Sequence, residues 1–461
     1  MSHALVMLRP EWLEPPKNLA NLLVNPLTCH PVNPLSRYPV NHLYQNMEQI
    51  CPEQQCTACS ACYNVCPKQA ISMVEIGAIG YVHPRIDAAK CIDCKLCQKV
   101  CPVVNLVEKH APLQAFAAIS SEAEVLDKSA SGGAASTMAR AIIEQGGVVY
   151  GCRMRSYTDI AHERFATVED MCAMRGSKYV QSSIGTTFRQ VKADLNAGLV
   201  VLFTGTACQI AGLRNYLRRS YDNLYCLDLV CHGVPSQKLL RDNVESMFRK
   251  KGLRPDGTER VTFRRIHSIQ TSNLDLRFGT FVESAIPASG SSLPEAAQRF
   301  LRNTYITAFM YGLIFRDNCY HCPYACAART ADVTVADFWG YRGTAIPRGK
   351  GVSLIMPSTA KGQRLVEMVR PHMLMEERTV AEAVDGNGQL KRPSACPPER
   401  AAFVSGYTRL GEVVFAPLLR GYKWGYRLKQ MRVNAISAIR RIPVVYPLLK
   451  YLYKRIKHSV G

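Results

Sequence analysis

The sequence predicts a small α+β module, followed by a larger and mostly parallel α/β domain and a basic helical tail. Eight cysteines crowd into residues 56–101 as two copies of one pattern. Apolar runs alternate with amphipathic segments after residue 102, and residues 413–461 contain no Asp or Glu. These observations divide the chain into an irregular extension at 1–46, the cysteine-rich module at 47–110, the α/β domain at 111–400 and the tail at 413–461.

Length and composition argue against two classes of protein. The chain has 461 residues, of which 47% are hydrophobic and 19 are cysteine. Disulfide scaffolds of that cysteine density are usually short and secreted, whereas this chain is long and opens without a basic segment followed by an apolar one. No run approaches the about 18 apolar residues that a membrane-spanning helix needs. We therefore expect a large intracellular protein whose cysteines have a chemical role.

Residues 1–46 differ in character from the rest of the chain. They contain seven prolines and a tandem octapeptide, Asn25–Val32 and Asn33–Val40. Such proline density argues against a regular helix or a central strand. The segment is interpreted as an irregular extension, or as the product of a start codon assigned upstream of Met47, and Cys29 and Cys51 are interpreted as spare thiols.

The two cysteine patterns both read C-x2-C-x2-C-x3-C and end in proline, which is the spacing of bacterial ferredoxins with two [4Fe-4S] clusters. Three thiolates of one tight loop reach three corners of a cubane, and the distant cysteine of the other motif supplies the fourth. One cluster is assigned to Cys56, Cys59, Cys62 and Cys101, and the other to Cys91, Cys94, Cys97 and Cys66. A pair of zinc knuckles is the alternative, but zinc sites usually place a C-x2-C pair at each end.

The segments after Pro102 predict an α/β domain with a sheet covered on both faces. Strands are predicted at Leu113–Ile119 and Val148–Tyr150, and buried strands at Leu199–Phe203 and Leu224–Val230. Helices are predicted at Ser131–Ile143, Ile184–Leu195 and Ala207–Leu217. Ligands of such sheets bind at the carboxyl ends of the strands.

Two of these strands end close to a cysteine, which suggests a third cluster. Cys208 follows one strand and Cys231 follows the next, while a C-x2-C pair lies downstream. Because the ends of parallel strands share one edge of a sheet, four thiols are assigned to the third cluster: Cys208, Cys231, Cys319 and Cys322. Cys326 is an alternative ligand, and Cys152, Cys172 and Cys226 are interpreted as inert core thiols.

From about residue 56 to about residue 400 the chain resembles the beta-subunit family of coenzyme F420 hydrogenases and dehydrogenases. The motifs that carry the resemblance are Ser129–Gly133, Arg175–Gln181, Gly205–Leu213, Asp228–Ser236, Cys319–Cys322 and Asp337–Gly340. The resemblance implies an iron–sulfur flavoprotein that passes electrons between a ferredoxin-type chain and FAD. It further implies an organic or deazaflavin (coenzyme F420) substrate, with polysaccharide synthesis as one setting. Ala207 and Ala336 stand where the family usually has proline and glycine.

The resemblance also implies a flavin site. The implied residues are Ser131, Gly132, Gly133, Ser136, Gly176, Ser177, Lys178, Tyr179, Gln181, Thr204, Gly205 and Thr206. Glycines before a helix let the backbone approach a diphosphate whose charge the helix N-terminus favours, although two glycines there are also a common plain cap. His232 and Lys178 are the candidate catalytic residues, and His232 has the alternative role of tuning a cluster through a hydrogen bond to sulfur.

The positive charge concentrates in the tail. Residues 413–461 carry 11 Lys and Arg against a net charge of +21 for the chain. Apolar residues at near-helical spacing predict a basic amphipathic helix, interrupted by Pro443 and Pro447, that contacts an anionic membrane surface. A solvated tail, a docking arm for an acidic ferredoxin or another redox subunit, and a nucleic-acid contact are alternatives, but no nucleic-acid motif accompanies the charge. The predicted location is the cytoplasm, peripheral at the inner face of the membrane.

Two classes of function stay open at this stage. The first is an enzyme, a flavin-dependent oxidoreductase fed by iron–sulfur clusters. The second is a non-catalytic adapter subunit that connects a partner enzyme to the ferredoxin pool. Flavin content discriminates between the two, because the adapter would carry clusters without flavin.

Overall fold

A computed structural model describes residues 49–249, 252–266, 276–283, 304–347 and 351–410. The chain divides into two compact units, residues 1–400 and 401–461. The second unit is described only over the residues 401–410 of a helix. The predicted extension at 1–46 and the basic tail at 413–461 therefore lie outside the described residues. Within the described part of the chain, no helix is both long and apolar enough to span a bilayer.

The cysteine-rich module has two halves of similar construction. Helix α1 (Ala61–Val65) and helix α2 (Leu96–Lys99) flank a hairpin of strands β1 (Ile71–Ile76) and β2 (Tyr81–Ile86). Each helix follows a residue in the left-handed region, Ser60 at φ 62° and Lys95 at φ 55°. The same spacing of cysteines thus produces the same tight loop twice.

The remaining described elements form the α/β domain and helices at its end. The strands are β3 (Ala115–Ser120), β4 (Val148–Ser156), β5 (Asp159–Phe165), β6 (Val201–Thr206), β7 (Leu224–Leu229), β8 (Arg260–Ile266), β9 (Leu276–Glu283), β10 (Val333–Asp337), β11 (Ser353–Pro357) and β12 (Met373–Arg378). The helices are α3 (Ala123–Lys128), α4 (Ala134–Glu144), α5 (Val168–Met171), α6 (Thr187–Asn196), α7 (Ala207–Leu217), α8 (Gln237–Arg249), α9 (304–310), α10 (Ala360–Val369), α11 (Val380–Gly386) and α12 (Arg400–Leu410).

One large sheet organises the domain. Its eight strands have the order β12-β3-β11-β10-β7-β6-β4-β5, and β8 and β9 form a separate hairpin. The four central strands β10, β7, β6 and β4 pair in parallel, whereas β11, β3, β12 and β5 join through antiparallel pairs. The predicted fold class is confirmed, and the central strands align the ends of β6 and β7, where Thr206 is in register with Leu229.

Helices cover both faces of this sheet. On one face, α4 and α10 pack over Leu202, Leu227 and Val333 in a continuous apolar core. On the other face, α6 and α7 pack over alternate strand residues such as Val201 and Phe203. Cys59, Ala61 and Val100 of the cysteine-rich module belong to this second core. The module therefore docks on the α6–α7 face as part of one hydrophobic core.

The predicted helices and strands are present, with shifted ends that have local causes. The strand predicted at Leu224–Val230 spans Leu224–Leu229, and the helix predicted at Ala207–Leu217 has those bounds. The helix predicted at Ser131–Ile143 begins at Ala134 because Gly133, with φ 85°, is its left-handed N-cap. A residue in that conformation cannot continue a right-handed helix.

Candidate functional site

The structure brings together the first predicted set of thiols. Cys56, Cys59, Cys62 and Cys101 are each no more than 8% exposed. Burial raises the pKa of the Cys62 thiol well above its usual value, and the charges of the other three thiolates raise it further. Electrostatic influence of this kind acts between thiols that lie near one another. Cys101 comes from the second motif, as the interlocked assignment predicts.

The second set converges at a different place. Cys66, Cys91, Cys94 and Cys97 line one small cavity together with Ile71 and Ile86. Cys97 is buried, whereas Cys94 is exposed to solvent. The two predicted ligand sets therefore differ in exposure, although they have the same spacing along the chain.

Backbone geometry suits thiolate clusters at both places. Ala58 and Asp93 occupy equivalent positions in the two loops, with φ values of 52° and 48°. The loops turn N–H groups toward sulfur: Ala58 N donates to Cys56 Sγ at 3.4 Å, and Ala70 N donates to Cys66 Sγ at 3.3 Å. Donors of this kind stabilise the negative charge of ligated sulfur. The described residues contain no group of His, Cys, Asp and Glu close enough to hold a single metal ion.

Cys51 has a position that its sequence context does not indicate. It packs with Cys62, Cys97 and Cys101 in the core of the module. Hydrogen bonds with Cys101 and Cys56 raise the pKa of its thiol. Cys51 is predicted to be a spare thiol, and the structure places it in contact with the first ligand set.

The four thiols of the predicted third cluster also lie together. Burial raises the pKa of Cys231 to about 12, and the charges of Cys208 and Cys322 contribute to that shift. Burial and the charges of Cys231, Cys322 and Cys208 likewise raise the pKa of Cys319. Thr206 Oγ1 lies 3.1 Å from Cys208 Sγ. Cys326, the alternative ligand, is not among the free thiols of the described residues. The ligand roles themselves stay a prediction.

Helix α7 connects the third set of thiols to the first. It begins at Ala207, directly before Cys208, and Gly212 lies one turn further along. A Cβ atom at Gly212 would lie 2.7 Å from Cys59 Sγ, so the helix backbone approaches the first ligand set as closely as glycine allows. One turn of helix spans about 5.4 Å, which places the two sets within a short distance of each other.

A buried arginine lies between the same two sets. Arg316 is 2% exposed, and its Nε donates to the Cys56 carbonyl at 3.1 Å. Its other nitrogens contact Gln181 Oε1 at 3.4 Å and His83 Nε2 at 3.1 Å. The guanidinium charge acts to lower the pKa of both Cys56 and Cys208. Sequence reasoning missed this residue because an isolated arginine carries no spacing signal.

The glycine-rich turn before α4 carries one buried group, the Ser131 hydroxyl, that lacks a hydrogen-bond partner among the described residues. Gly132 packs against the backbone of β3 and β11, where a Cβ atom would lie 2.4 Å from Ala118 O. At the start of α4, Ser136 Oγ accepts a bond from Ser129 Oγ at 3.5 Å. Arg175, which follows α5, has three buried side-chain nitrogens that form no hydrogen bond with the described residues, and its guanidinium pairs with Glu124 of α3 at 3.6 Å.

The second predicted flavin segment, Gly176–Gln181, makes contacts in several directions. Lys178 Nζ donates to the carbonyls of Met174 and Arg175 at 2.5 and 2.9 Å, and burial lowers its pKa to about 8. The Tyr179 ring packs against Phe309, with ring centroids 4.6 Å apart. Gln181 Nε2 donates to the Thr57 carbonyl at 3.1 Å, which joins this segment to the cysteine-rich module.

The third predicted segment, Thr204–Thr206, ends in a hydrogen-bond network. His162 Nε2 lies 2.9 Å from Thr204 O, and His162 Nδ1 lies 2.9 Å from Ser182 Oγ. Burial lowers the pKa of His162 to about 4, so the ring is neutral near pH 7. Gly205 packs against Phe203, Gln209 and His162. This network fixes the loop that leads into Cys208.

His232 lies at the end of β7 beside a charged pair. Burial lowers its pKa, and the charge of Asp337 opposes that effect. Arg264 Nη1 donates to Asp337 at 2.9 Å, and the His232 carbonyl accepts a bond from Ser394 Oγ at 2.6 Å. The candidate catalytic histidine is therefore in a polar group at the carboxyl edge of the sheet, whereas the Lys178 ammonium is held by two backbone carbonyls.

Comparison with known proteins identifies both parts of the chain. Residues 55–105 match a 4Fe-4S dicluster domain, and residues 199–383 match the family described as the C terminus of the coenzyme F420 hydrogenase/dehydrogenase beta subunit. An uncharacterized polyferredoxin-like protein of Methanocaldococcus jannaschii is 35% identical over 68 residues, which cover 13% of this chain and 40% of that relative.

A chain of the F420-reducing [NiFe] hydrogenase complex from Methanosarcina barkeri is a structural neighbour, at 17% identity and a TM-score of 0.38. The comparison covers 60% of this chain and 90% of that chain. Residues 199–383 of the chain are thus similar to the C-terminal family of the coenzyme F420 hydrogenase/dehydrogenase beta subunit, and residues 55–105 are similar to a 4Fe-4S dicluster domain.

Proposed function

We propose that the chain is an iron–sulfur flavoprotein oxidoreductase that passes electrons between a ferredoxin-type chain and an organic or deazaflavin substrate through FAD. The observation that carries the proposal is the convergence of Cys208, Cys231, Cys319 and Cys322 at the carboxyl edge of the sheet, where Gly212, one helical turn after Cys208, packs against Cys59. Four thiols that assemble from three loops, directly beside a dicluster module, favour a continuous electron path over three separate structural sites.

Exposure gives the proposed path a direction in space. Cys94 of the second set is exposed, whereas every thiol of the first set is at most 8% exposed. The third set lies beyond the first, because Gly212 and Arg316 lie between them. A redox partner therefore exchanges electrons at the second cluster, and the third cluster delivers them inside the α/β domain.

The chain also offers a site that fits a flavin diphosphate. Ser131 lies in the turn before the 11-residue helix α4, and its buried hydroxyl has no hydrogen-bond partner among the described residues. Arg175 pairs with Glu124 of α3, the helix that precedes the same turn, and its guanidinium likewise has no hydrogen-bond partner among the described residues. A diphosphate supplies the acceptors and the negative charge that a guanidinium and a helix N-terminus favour. Sequence reasoning did not select Arg175 as a site residue, although it directly precedes Gly176.

A bound flavin supplies the exchange between one-electron and two-electron chemistry that clusters alone cannot perform. The chain's own groups would position and shield it. Lys178 holds the turn at Met174 and Arg175 through its ammonium group, and the neutral His162 ring fixes Thr204. Burial lowers the pKa of His232, and the charge of Asp337 opposes that effect. His232 is therefore the candidate for moving a proton at the carboxyl edge of the sheet.

The experiment combines cofactor content with one matched pair of variants. Anaerobically purified protein is expected to contain about twelve iron atoms per chain and one FAD. Arg175→Ala is expected to lower FAD content severalfold with iron unchanged, whereas Arg155→Ala, whose side chain is 63% exposed, leaves both unchanged. Mixing photoreduced protein with organic and deazaflavin acceptors, including intermediates of polysaccharide synthesis, then identifies the acceptor by flavin reoxidation. Clusters without any flavin would overturn the proposal and favour the adapter.

A further inference from the structure

Tyr324 has a buried hydroxyl group with no hydrogen-bond partner in the part of the chain that the structure describes. The residue is 5% exposed, and its hydroxyl oxygen is buried without an acceptor among the described residues. Its side chain packs against Ala207 and Ala211 of helix α7, together with Cys208 and Cys322. A buried donor that makes no hydrogen bond costs free energy, so natural proteins rarely leave one without a function.

The surroundings of this hydroxyl supply one kind of acceptor. The Tyr324 side chain packs against Cys208 and Cys322 of the predicted third set. It also packs against Ala211 of α7, which is next to Gly212, where the helix backbone approaches Cys59 Sγ of the first set. The tyrosine therefore lies at the junction of the two ligand sets, where apolar side chains fill the remaining space.

The main chain of Tyr324 is held firmly in place. Arg329 Nη1 donates to the Tyr324 carbonyl at 2.6 Å, and the Arg329 guanidinium forms a buried ion pair with Asp228 at 2.9 Å. The backbone N–H groups of Tyr324 and Ala325 oppose the effect of burial on the pKa of Cys322. A phenol on such a fixed backbone has a defined direction, which a hydrogen bond to one sulfur atom requires.

We propose that the Tyr324 hydroxyl donates a hydrogen bond to a sulfur atom of one of the two clusters that flank it, and that this bond raises the reduction potential of that cluster. The inference rests on the proposed function, since one of the two clusters is the third. Reduction adds negative charge to a cluster, and a donor to sulfur stabilises the reduced form more than the oxidised form. Tyr324 is thus a positioning residue that sets the energy of the electron step between the dicluster module and the α/β domain.

Three variants test this inference by redox titration monitored by electron paramagnetic resonance. Tyr324→Phe removes the donor, and we expect the midpoint potential of one flanking cluster to become more negative. Replacement of Tyr324 by 3-fluorotyrosine keeps the shape and strengthens the donor, so the same potential is expected to become more positive. Tyr150→Phe is the control, because the Tyr150 hydroxyl donates to Asp194 at 2.6 Å, and it should leave all cluster potentials unchanged.

The outcomes separate this inference from the proposed function. Opposite shifts in the two Tyr324 variants support the hydrogen bond, and the identity of the shifted signal shows which cluster accepts it. Unchanged potentials in both variants with full iron content, or a shift of the second cluster alone, would overturn it. If Tyr324→Phe fails to fold, the fluorotyrosine variant decides by the presence or absence of a positive shift. About eight iron atoms in the unmodified chain would refute the third cluster, independently of any Tyr324 effect.

Discussion

The two cysteine motifs of the dicluster module have the same spacing and the same backbone, but very different surroundings. Ala58 and Asp93 adopt left-handed φ values of 52° and 48° at matching positions of the two loops. The first ligand set is nevertheless enclosed by the α6–α7 face of the α/β domain, whereas Cys94 of the second set and the neighbouring Ile92, at 57% exposure, face solvent.

This difference teaches that the spacing of the cysteines determines which group a motif can bind, whereas the packing of the module against the α/β domain determines the surroundings of that group. The first set has Arg316 and Gly212 of the α/β domain around it, which contribute a charge and a close approach of the helix backbone. Potentials of iron–sulfur clusters respond to net charge, hydrogen bonds to sulfur and solvent exposure. Two clusters of identical spacing should therefore differ in potential and in the partner with which they exchange electrons.

Removal of one ligand from each set is expected to give the largest contrast. Cys59→Ala should lose about four iron atoms per chain and lower the midpoint of thermal unfolding by at least about 5 °C, because Cys59 belongs to the core shared with the α/β domain. Cys94→Ala should lose a similar amount of iron but lower the midpoint by about 2 °C or less, since Cys94 is exposed. Iron assays and calorimetry measure both quantities; equal losses of stability would contradict the comparison.

Substitution of the buried arginine should have the next largest effect. Arg316→Leu leaves the Cys56 carbonyl and the Gln181 amide without their charged donor, and we expect a loss of about 2–4 kcal/mol in the free energy of unfolding. The potential of the first cluster should also become more negative, because a buried positive charge is lost. Denaturant unfolding and redox titration provide the two measurements.

Two further variants separate charge from geometry at this position. Arg316→Lys keeps the positive charge but cannot form the same fork of hydrogen bonds, so it should recover much of the potential and less of the stability. Arg85→Leu is the control on the same module, since Arg85 is 46% exposed and pairs with Glu53 at the surface. It should change stability by about 0.5 kcal/mol or less. A similar loss in the free energy of unfolding for Arg85→Leu and Arg316→Leu would show that the burial of Arg316 is unimportant.

A single methyl group on α7 should disturb only the first half of the module. In Gly212→Ala the new Cβ would lie 2.7 Å from Cys59 Sγ, so the helix and the cysteine loop must separate, at a cost of about 1–3 kcal/mol. Gly388→Ala is the matched control, because a Cβ there meets nothing within 4 Å. In Gly212→Ala we expect the electron paramagnetic resonance signal of the first cluster to broaden or disappear, while the signal of the second cluster is unchanged. Unaltered signals from both clusters would show that the close approach is unimportant.

Much of this arrangement follows from local patterns in the sequence. The cysteine spacing predicts the two loops, and apolar runs predict β6, α7 and β7 together with the edge where Cys208 and Cys231 meet. Both signals are short-range, because a loop or a strand is determined largely by its own residues. The antiparallel strands β5, β11 and β12 are not predicted in this way, since their place depends on pairing with distant strands.

Local sequence patterns do not predict the residues that connect the ligand sets. Arg175, Arg316 and Tyr324 are single residues whose importance comes from their burial and their surroundings in the folded chain. Gln181 illustrates the converse. Its motif predicts a cofactor contact, whereas its amide group bonds to Thr57 and Arg316 at the junction with the dicluster module. The tail at 413–461 lies outside the described residues, and its membrane contact stays a prediction.

The exposed second ligand set should respond to a change of surface charge near it. The change in the rate of electron transfer is the smallest of the effects that we expect. Lys68 lines the cavity of the second ligand set, so Lys68→Glu should slow electron transfer from a reduced acidic ferredoxin about three- to tenfold at low salt. Lys128→Glu, with a side chain 58% exposed on the α/β domain, is the control and should leave the rate unchanged. Stopped-flow kinetics at two ionic strengths provide the measurement. Salt screens the electrostatic attraction between the two proteins, but it does not reverse a change of reduction potential. If the partner docks at the second cluster, the slower electron transfer in Lys68→Glu should therefore return to the normal rate at high salt.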